Sequence, residues 1–175
     1  MKLVGIPSGK IFFKKMSRLI EHDIIQNIGI GALALHQFTV KYFEEKKNLQ
    51  GPSLPLVMPI LPIIFHEKSL EEVARRNYKG GFFKLTTEYR ELPAGLQKRM
   101  ESMSEQTFKS LNLAFQSKIL TYNKELNEIL PIGSKIENQQ YSEEIQKILH
   151  GADRLGYWFA TLPFEQVCLN LKIKF

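Results

Sequence analysis

The residues that could carry out chemistry in this chain are few, and none of them belongs to a complete motif. The run GIPSGK at residues 5–10 is close to a phosphate-binding loop, in which glycine amides and a lysine hold phosphate oxygens. Its glycines, Gly5 and Gly9, are one residue too close together, and Ile11 stands where a serine or threonine is needed. The run GIG at residues 29–31 lacks the third glycine of a dinucleotide fingerprint and the strand that should precede it. Neither run predicts a nucleotide site.

The four histidines and the single cysteine are scattered along the chain. No histidine has a second histidine or cysteine three or four residues away, the spacing that places two metal ligands on one helical face. His66 and Glu67 have the types of a general base and its orienting carboxylate, but no nucleophile or oxyanion-stabilising loop can be assigned beside them. Cys168 lies on an apolar helical face, which is typical of a buried and inert thiol. We therefore expect no catalytic residue, no metal and no cofactor.

Length and cysteine content limit the class of protein. A chain of 175 residues is typical of one domain that buries about two thirds of its unfolded surface, so residues 1–175 are predicted to form a single domain. The lone cysteine cannot form an internal disulfide, and no signal-peptide pattern opens the chain, which predicts a cytoplasmic protein. The longest uncharged apolar run is shorter than the roughly twenty residues that span a bilayer, so no membrane partner is expected.

The net charge of +6 is concentrated at the N-terminus. Residues 1–20 contain five cations and no acidic residue, which leaves a net charge of only +1 for the remainder. Such a basic segment is typical of contact with DNA phosphates or with an acidic protein partner. The candidate contact residues are Lys10, Lys14, Lys15 and Arg18. The alternative interpretation is a solvated terminus with no partner.

The most unusual segment is LPLVMPILPIIFH, residues 54–66, which is apolar and carries no charged residue. Its three prolines recur at spacings of four and three, yet a proline inside a helix removes a hydrogen bond and costs about 3 kcal/mol. An apolar element that a simple helix accommodates poorly suggests an interface. The candidate partner-binding residues are Leu56, Met58, Ile60 and Phe65, together with Trp158 and Phe159 near the end of the chain. The alternative is burial in the chain's own core, which is usual for apolar residues at helical spacing.

The elements that must hold these residues are predicted to be mainly helical. Apolar residues at three- and four-residue spacings predict a helix at about 23–47 and another between Ser142 and Pro163. The buried stripe of the second runs from Ile145 to Phe159, with Trp158 at its edge. Serine caps are predicted at Ser69, for a short helix to about residue 77, at Ser104, for a helix to about residue 116, and at Ser142. Pro93 and Gly95 are predicted to interrupt a helical region before Ser104, and a last short helix contains Cys168. The predicted buried stripe of the helix after Ser104 is Thr107, Phe108, Leu111, Ala114 and Phe115.

One hairpin is predicted at residues 118–132, where two apolar stretches flank the polar run NKELN. The predicted fold class is therefore mainly α, a compact helical domain with one β-hairpin. A helix followed at once by a hairpin is also how a winged helix-turn-helix ends. A winged-helix DNA-binding protein, acting as a regulator or a DNA clamp, is the alternative, although Lys109 and Lys118 are few cations for reading a major groove.

Three blocks of the sequence, in order, resemble the middle component of bacterial three-component ABC-ATPase systems, of which the antiviral Lamassu systems are the best known. The blocks are IGIGALALHQFTVKYFEE, LPLVMPILPIIFHEKS and ADRLGYWFATLPFEQVCLNLKIKF, and they span about residues 27–175. They are similar to the family's GALAL-like helix core with a downstream tyrosine, its proline-bounded segment ending in histidine, and its LGxWFA run. The chain departs from the family at 69–71, where relatives carry a basic residue, and at 171–173, where they carry a Leu-Gly turn.

The resemblance implies a noncatalytic adaptor encoded between an effector and a large ATPase. The implied partners are an ATPase related to the chromosome-maintenance (SMC) and recombination-repair ATPases, and an effector of nuclease type. In that interpretation the small subunit holds the effector on the ATPase until foreign or aberrant DNA is sensed, and DNA is reached through the complex.

Overall fold

A computed structural model describes residues 9–137 and 140–175, with the backbone alone described at 9–26. The fold is mainly helical with one antiparallel hairpin, which confirms the predicted fold class. The elements in chain order are α1 Gly9–Glu45, α2 Leu54–Val57, α3 Ile60–Ile64, α4 Glu67–Ala74, α5 Gly81–Glu88, α6 Glu91–Ser102, α7 Ser104–Gln116, β1 Leu120–Asn123, β2 Glu128–Pro131, α8 Glu143–Ala160 and α9 Phe164–Leu171.

Helix α1 is the central element, and α7 and α8 pack along it. Two glycines let the helices approach closely. A Cβ at Gly31 would lie 2.4 Å from the Ser110 Oγ of α7, and a Cβ at Gly156 of α8 would lie 2.6 Å from the Phe38 carbonyl oxygen of α1. The predicted helix at 23–47 is thus confirmed, but it begins earlier, at Gly9, because no proline or glycine interrupts residues 10–28.

The proline-containing segment forms two short helices rather than one. Pro55 is at the second position of α2, Pro59 is the N-cap of α3, and Pro62 is at the third position of α3. Each proline thus lies at the start of a helix, where a backbone N–H has no partner within the helix and its loss costs little. The cost predicted for an interior proline therefore does not arise, and Ile60, Leu61, Ile63 and Ile64 are almost fully buried in the core.

Two of the three predicted serine caps are wrong. Helix α4 is capped by His66, whose Nδ1 accepts a hydrogen bond from the Ser69 amide at 3.3 Å, so Ser69 lies inside the first turn. Helix α7 begins at Ser104 and ends at Gln116 as predicted, but the Ser104 hydroxyl donates back to the Glu101 carbonyl instead of capping. Ser142 does cap α8, through an acceptor contact of 3.5 Å to the Ile145 amide.

Helix α6 runs through both residues that were predicted to interrupt it. Pro93 occupies the third position, inside the first turn, where its missing N–H breaks no helical hydrogen bond. Gly95 is accommodated in the helix because Leu92, Leu96 and Met100 anchor the same face in the core. The predicted interruption is therefore wrong, since tertiary burial outweighs the low intrinsic propensity of these residues.

The hairpin is confirmed, with Leu120 paired to Pro131 at its base and Asn123 paired to Glu128 at its turn. The segment before α2 lies along β2. There the Ile129 amide donates to the Pro52 carbonyl at 2.9 Å, and a Cβ at Gly51 would lie 2.2 Å from the Ile129 carbonyl oxygen. Glycine is required at residue 51 because no side chain fits between these backbones.

Helices α8 and α9 complete the core. Leu149, Ala152, Leu155 and Phe159 of α8 are fully buried, which confirms the predicted stripe. Trp158, predicted at the edge of that stripe, is also buried, and its indole N–H donates to the Tyr78 carbonyl at 2.7 Å. The predicted last helix is confirmed as α9. Within the described residues, no helix has both the length and the hydrophobicity needed to cross a bilayer.

Candidate protein-binding surface

The structure places the six predicted partner-binding residues mostly inside the chain's own fold. Leu56, Ile60, Trp158 and Phe159 are each at most 5% exposed, whereas Met58 and Phe65 are half-buried and pack against the same core. In the isolated chain these six do not form one accessible face. Helix α1 contains the four predicted cationic contact residues, Lys10, Lys14, Lys15 and Arg18. Their side chains are outside the part that the structure describes.

Two of the histidines, His36 and His66, and the single cysteine, Cys168, have structural surroundings. The His36 Nε2 is 3.3 Å from the Ile132 carbonyl and donates to it, and burial lowers the pKa of this imidazole despite that hydrogen bond. His66 caps α4, and burial, aided by the positive charge of Arg99, lowers its pKa as well. Burial raises the pKa of the Cys168 thiol, which disfavours the reactive thiolate. Among residues 9–137 and 140–175, no group of three potential ligands has the arrangement of a metal site.

An open apolar groove lies between α7 and the hairpin. It has a volume of about 680 Å³, and we call it the α7–hairpin groove. Phe108 is half exposed within it, at 50%, and Tyr122 is 41% exposed. The apolar and aromatic lining residues are Leu54, Phe108, Leu111, Phe115, Tyr122 and Ile129, with Glu105, Lys109 and Asn112 also lining it. An open groove of this composition is typical of a surface that receives an amphipathic helix of another protein.

The local sequence explains how the groove forms. On α7, the side buried against α1 carries Thr107, Ser110 and Ala114, while Phe108 and Phe115 are seven residues apart and project from a neighbouring side. Lys118 then adopts a left-handed conformation, with φ of 55°, and the chain reverses direction into β1. From Glu105 to Phe115, α7 rises by about 15 Å, which matches about three turns of a partner helix.

A buried polar cluster is centred on Asp153 of α8. Asp153 of α8 accepts hydrogen bonds from Gln37 at 2.9 Å and from the Tyr78 hydroxyl at 3.0 Å, and its carboxylate lies 2.8 Å from the Lys135 ammonium. Gln37 also accepts from the Ile136 amide at 3.3 Å. These contacts tie the segment that follows β2 to α1 and α8. The hairpin itself is fixed to α7 by the Ile119 amide, which donates to the Ala114 carbonyl at 3.1 Å. The groove between them is therefore formed before any partner binds, which lowers the ordering cost of binding.

The charges of the groove are balanced and lie at its edge. Among the residues that the structure describes, Glu105 and Lys109 are the only charged ones lining it, and they form an ion pair at 2.6 Å. The hydrogen bond and the charge of Lys109 hold the pKa of the Glu105 carboxyl below its usual range. Both side chains are exposed, so the pair contributes little to stability. The groove therefore presents an apolar surface without a strong electrostatic preference.

The groove was missed at the level of sequence because Phe108 and Phe115 were assigned to the buried stripe of α7. Phe108 is half exposed and Phe115 half-buried, so the assignment of Phe108 to the core is wrong. A signal was present, since the apolar residues of this helix cover more of its circumference than one buried stripe needs. Which of them remain accessible depends on where the hairpin packs, and that is not encoded in helical spacing.

Comparison with known proteins gives one family. The family model described as ABC-three component (ABC-3C) system Middle Component 3 matches residues 16–175 of the chain. No curated protein and no solved structure gives a significant match.

Proposed function

The chain belongs to the Middle Component 3 family of ABC-three component systems, and from this we propose that it is the noncatalytic adaptor of such a system, joining an effector subunit to an ATPase subunit. The observation that supports the proposal is the α7–hairpin groove, a preformed surface lined mainly by apolar and aromatic residues. A groove of this kind binds a partner by burying apolar side chains and needs no chemistry of its own.

The proposed occupant of the groove is an amphipathic helix of one partner subunit. Phe108 and Tyr122 stand on opposite walls, so a helix lying between them would bury both aromatic side chains together with Phe115. Buried aromatic residues near the centre of an interface contribute most of the binding energy in many complexes. Met58 and Phe65, which are half-buried, are proposed as additional contacts for a partner.

The finer assignment of partners follows the resemblance to Lamassu-type antiviral defence. In that proposal the ATPase is of the SMC or recombination-repair type, the effector is a nuclease, and the adaptor restrains the effector in the cytoplasm until foreign or aberrant DNA is sensed. The cationic start of α1, with Lys10, Lys14, Lys15 and Arg18, is proposed to contact an acidic partner or DNA held by the complex.

The winged-helix alternative gains no support from α7. This helix precedes the hairpin as a recognition helix would, but Lys109 is its only cation and is paired with Glu105. A recognition helix needs unpaired cations or amides that reach base edges and phosphates. The two functions are separated by the salt dependence of duplex DNA binding by the isolated chain. Affinity that falls steeply with added salt favours the DNA-binding alternative, and weak binding at all salt concentrations favours the adaptor.

The proposed function is tested by expressing the complete three-component system with a tag on this chain. Phe108→Asp places a charge in the groove and is expected to reduce the recovery of one partner subunit at least tenfold. Leu49→Asp is the matched control, because Leu49 is 81% exposed in the turn after α1 and lines none of the described pockets. If the wild-type chain recovers neither partner at moderate salt, or if Phe108→Asp recovers both as well as the control does, the groove is not the adaptor's docking site.

A further inference from the structure

A second concave surface lies between the start of α5 and the last two helices, and it shares no lining residue with the α7–hairpin groove. Its volume is about 500 Å³, which is within the range of pockets that hold small molecules. Phe83 is 64% exposed in it, whereas Phe82 and Trp158 are buried and form its floor. We call this surface the α5–α9 pocket, and Gln166 and Asn170 of α9 supply part of its polar lining.

The floor and one wall of the α5–α9 pocket are held in place by the chain's own contacts. The Trp158 indole N–H donates to the Tyr78 carbonyl at 2.7 Å, and the Tyr78 hydroxyl donates to Asp153 at 3.0 Å. A Cβ at Gly81 would lie 2.8 Å from the Trp158 ring, so α5 begins directly against that ring. A Cβ at Gly80 would meet no atom within 4 Å, so the space beside it is open. A ligand would therefore not have to order this part of the pocket on binding.

Three polar side chains of the pocket are free to bind a ligand. Within the part of the chain that the structure describes, the Lys79 ammonium forms no ion pair, and the side-chain amides of Gln166 and Asn170 form no hydrogen bond. The two amides are one turn apart on α9 and share a side of the helix. No aspartate or glutamate lines the pocket among the described residues. Glu165 and the chain end at Phe175 line a different depression, which shares no residue with it.

These side chains match the three parts of a nucleotide. The exposed ring of Phe83 offers a face on which a nucleobase stacks. The amides of Gln166 and Asn170 each carry a donor and an acceptor, the combination that pairs with base edges. The Lys79 ammonium pairs with phosphate, and no lining carboxylate opposes that charge. An apolar helix of a partner would instead cover all three polar groups without satisfying them, which is costly.

We propose that the α5–α9 pocket binds a nucleoside phosphate, with the base on Phe83, the base edge at Gln166 and Asn170, and the phosphate on Lys79. An unstacked base with a phosphate occurs both in a free nucleotide and in a single-stranded nucleic acid. Duplex DNA does not offer it, because its bases remain in the stack. This site goes beyond the proposed adaptor function and does not depend on it, since it is separate from the α7–hairpin groove.

Binding is measured on the full-length chain by calorimetry and by tryptophan fluorescence. Trp158 is the single tryptophan, so its emission reports on the floor of the pocket. The probes are AMP, ATP, adenosine, inorganic phosphate and an eight-nucleotide single strand. AMP is expected to bind at one site with a dissociation constant below about 1 mM, adenosine more weakly, and inorganic phosphate alone not measurably. If ATP binds more tightly than the strand, the ligand is a free nucleotide, and the reverse order identifies a single-stranded nucleic acid.

Substitutions at Phe83 separate base stacking from simple apolar contact. Phe83→Leu keeps an apolar side chain without the ring and is expected to weaken AMP binding about tenfold, whereas Phe83→Tyr keeps the ring and should retain it. Lys79→Gln should weaken AMP binding several-fold and leave adenosine binding unchanged. Phe108→Leu is the matched control, because Phe108 is also an exposed phenylalanine on a helix but lies outside the pocket. It should bind AMP as the wild type does, and circular dichroism checks that every variant is folded.

Three results would overturn the nucleotide site. The first is that no probe containing a base binds the wild-type chain at millimolar concentration. The second is that Phe83→Leu binds AMP as tightly as the wild type, and the third is that inorganic phosphate binds as tightly as AMP. None of these measurements involves the recovery of a partner subunit, so the adaptor function stands or fails separately.

Discussion

The close approach of α1 and α8 at Gly156 makes a sharp prediction about stability. In Gly156→Ala the new methyl group would lie 2.6 Å from the Phe38 carbonyl oxygen and 3.2 Å from the Tyr42 amide nitrogen. Both are backbone atoms of a long helix and cannot move away by changing a rotamer. Ordinary contact begins near 3.4 Å, so the two helices would have to separate by about 0.8 Å at this point.

The expected magnitude follows from two opposing terms. Alanine is favoured over glycine inside a helix by about 1 kcal/mol, while forcing an extra carbon into a packed core typically costs about 1–3 kcal/mol. Because backbone meets the methyl group here, we place the packing cost at the upper end, about 3 kcal/mol. The free energy of unfolding is then lowered by about 2 kcal/mol, which corresponds to a fall of roughly 4–8 °C in Tm for a chain of this size.

Gly29→Ala on α1 is the matched control. A Cβ at Gly29 would meet no atom within 4 Å, so the helix-propensity gain is not opposed. This variant is expected to raise the free energy of unfolding by about 1 kcal/mol and Tm by roughly 2–4 °C. Urea unfolding followed by circular dichroism measures both variants. If Gly156→Ala proved as stable as Gly29→Ala, the reasoning that α8 lies directly against the α1 backbone would be refuted.

Three further changes test other parts of the structure. Asp153→Ala leaves Gln37 without its buried partner and should lower the free energy of unfolding by about 3 kcal/mol in urea titrations, whereas Asp153→Asn, which keeps an acceptor, should lose clearly less. Burial lowers the pKa of His36 from 6.5, so the unfolded state binds the proton more readily than the folded state. The free energy of unfolding should therefore keep its full value above about pH 6.5 and decline as the pH falls below it. In His36→Gln, urea midpoints should decline less over that range, and an unchanged decline would contradict this role. Gly51→Ala should unfold at a Tm several degrees lower, because its methyl group would meet the Ile129 carbonyl at 2.2 Å.

The three sequence blocks that resemble the family acquire physical roles in the structure. In the LGYWFA block, Gly156 admits the α1 backbone, Trp158 donates to the Tyr78 carbonyl, and Phe159 packs its ring edge-on against Phe38 at a centroid distance of 5.8 Å. The proline-containing segment supplies two short buried helices. These glycine, aromatic and proline-flanked residues are therefore concerned mainly with packing. The third block also carries the exposed Phe164 and Leu169 of α9, while Phe108 of α7 and Phe83 of α5 are exposed outside the blocks.

The long helices and the hairpin could be predicted from sequence because they depend on local periodicity. The stripe of α8 repeats over its whole length, and the hairpin has a polar turn between two apolar stretches. The cap of α4 could not be predicted by the serine rule, since a histidine ring nitrogen accepts the hydrogen bond there. Helix α6 was predicted to break because propensity was counted without the burial of Leu92 and Leu96 that compensates for it.

The sequence by itself determined the class of this protein: mainly helical, poor in catalytic motifs, and matched to a family of middle components by ordered blocks. Only the tertiary structure decided which apolar residues remain accessible. The thirteen residues at 54–66 are largely buried, whereas Phe108 on a helix with an ordinary buried stripe is half exposed. The physical reason is that spacing along a helix reports which side chains share a face, but exposure depends on which other element covers that face. Here α1, α4, α6 and α8 pack around α3 of the proline-containing segment, and the hairpin leaves an open groove beside α7.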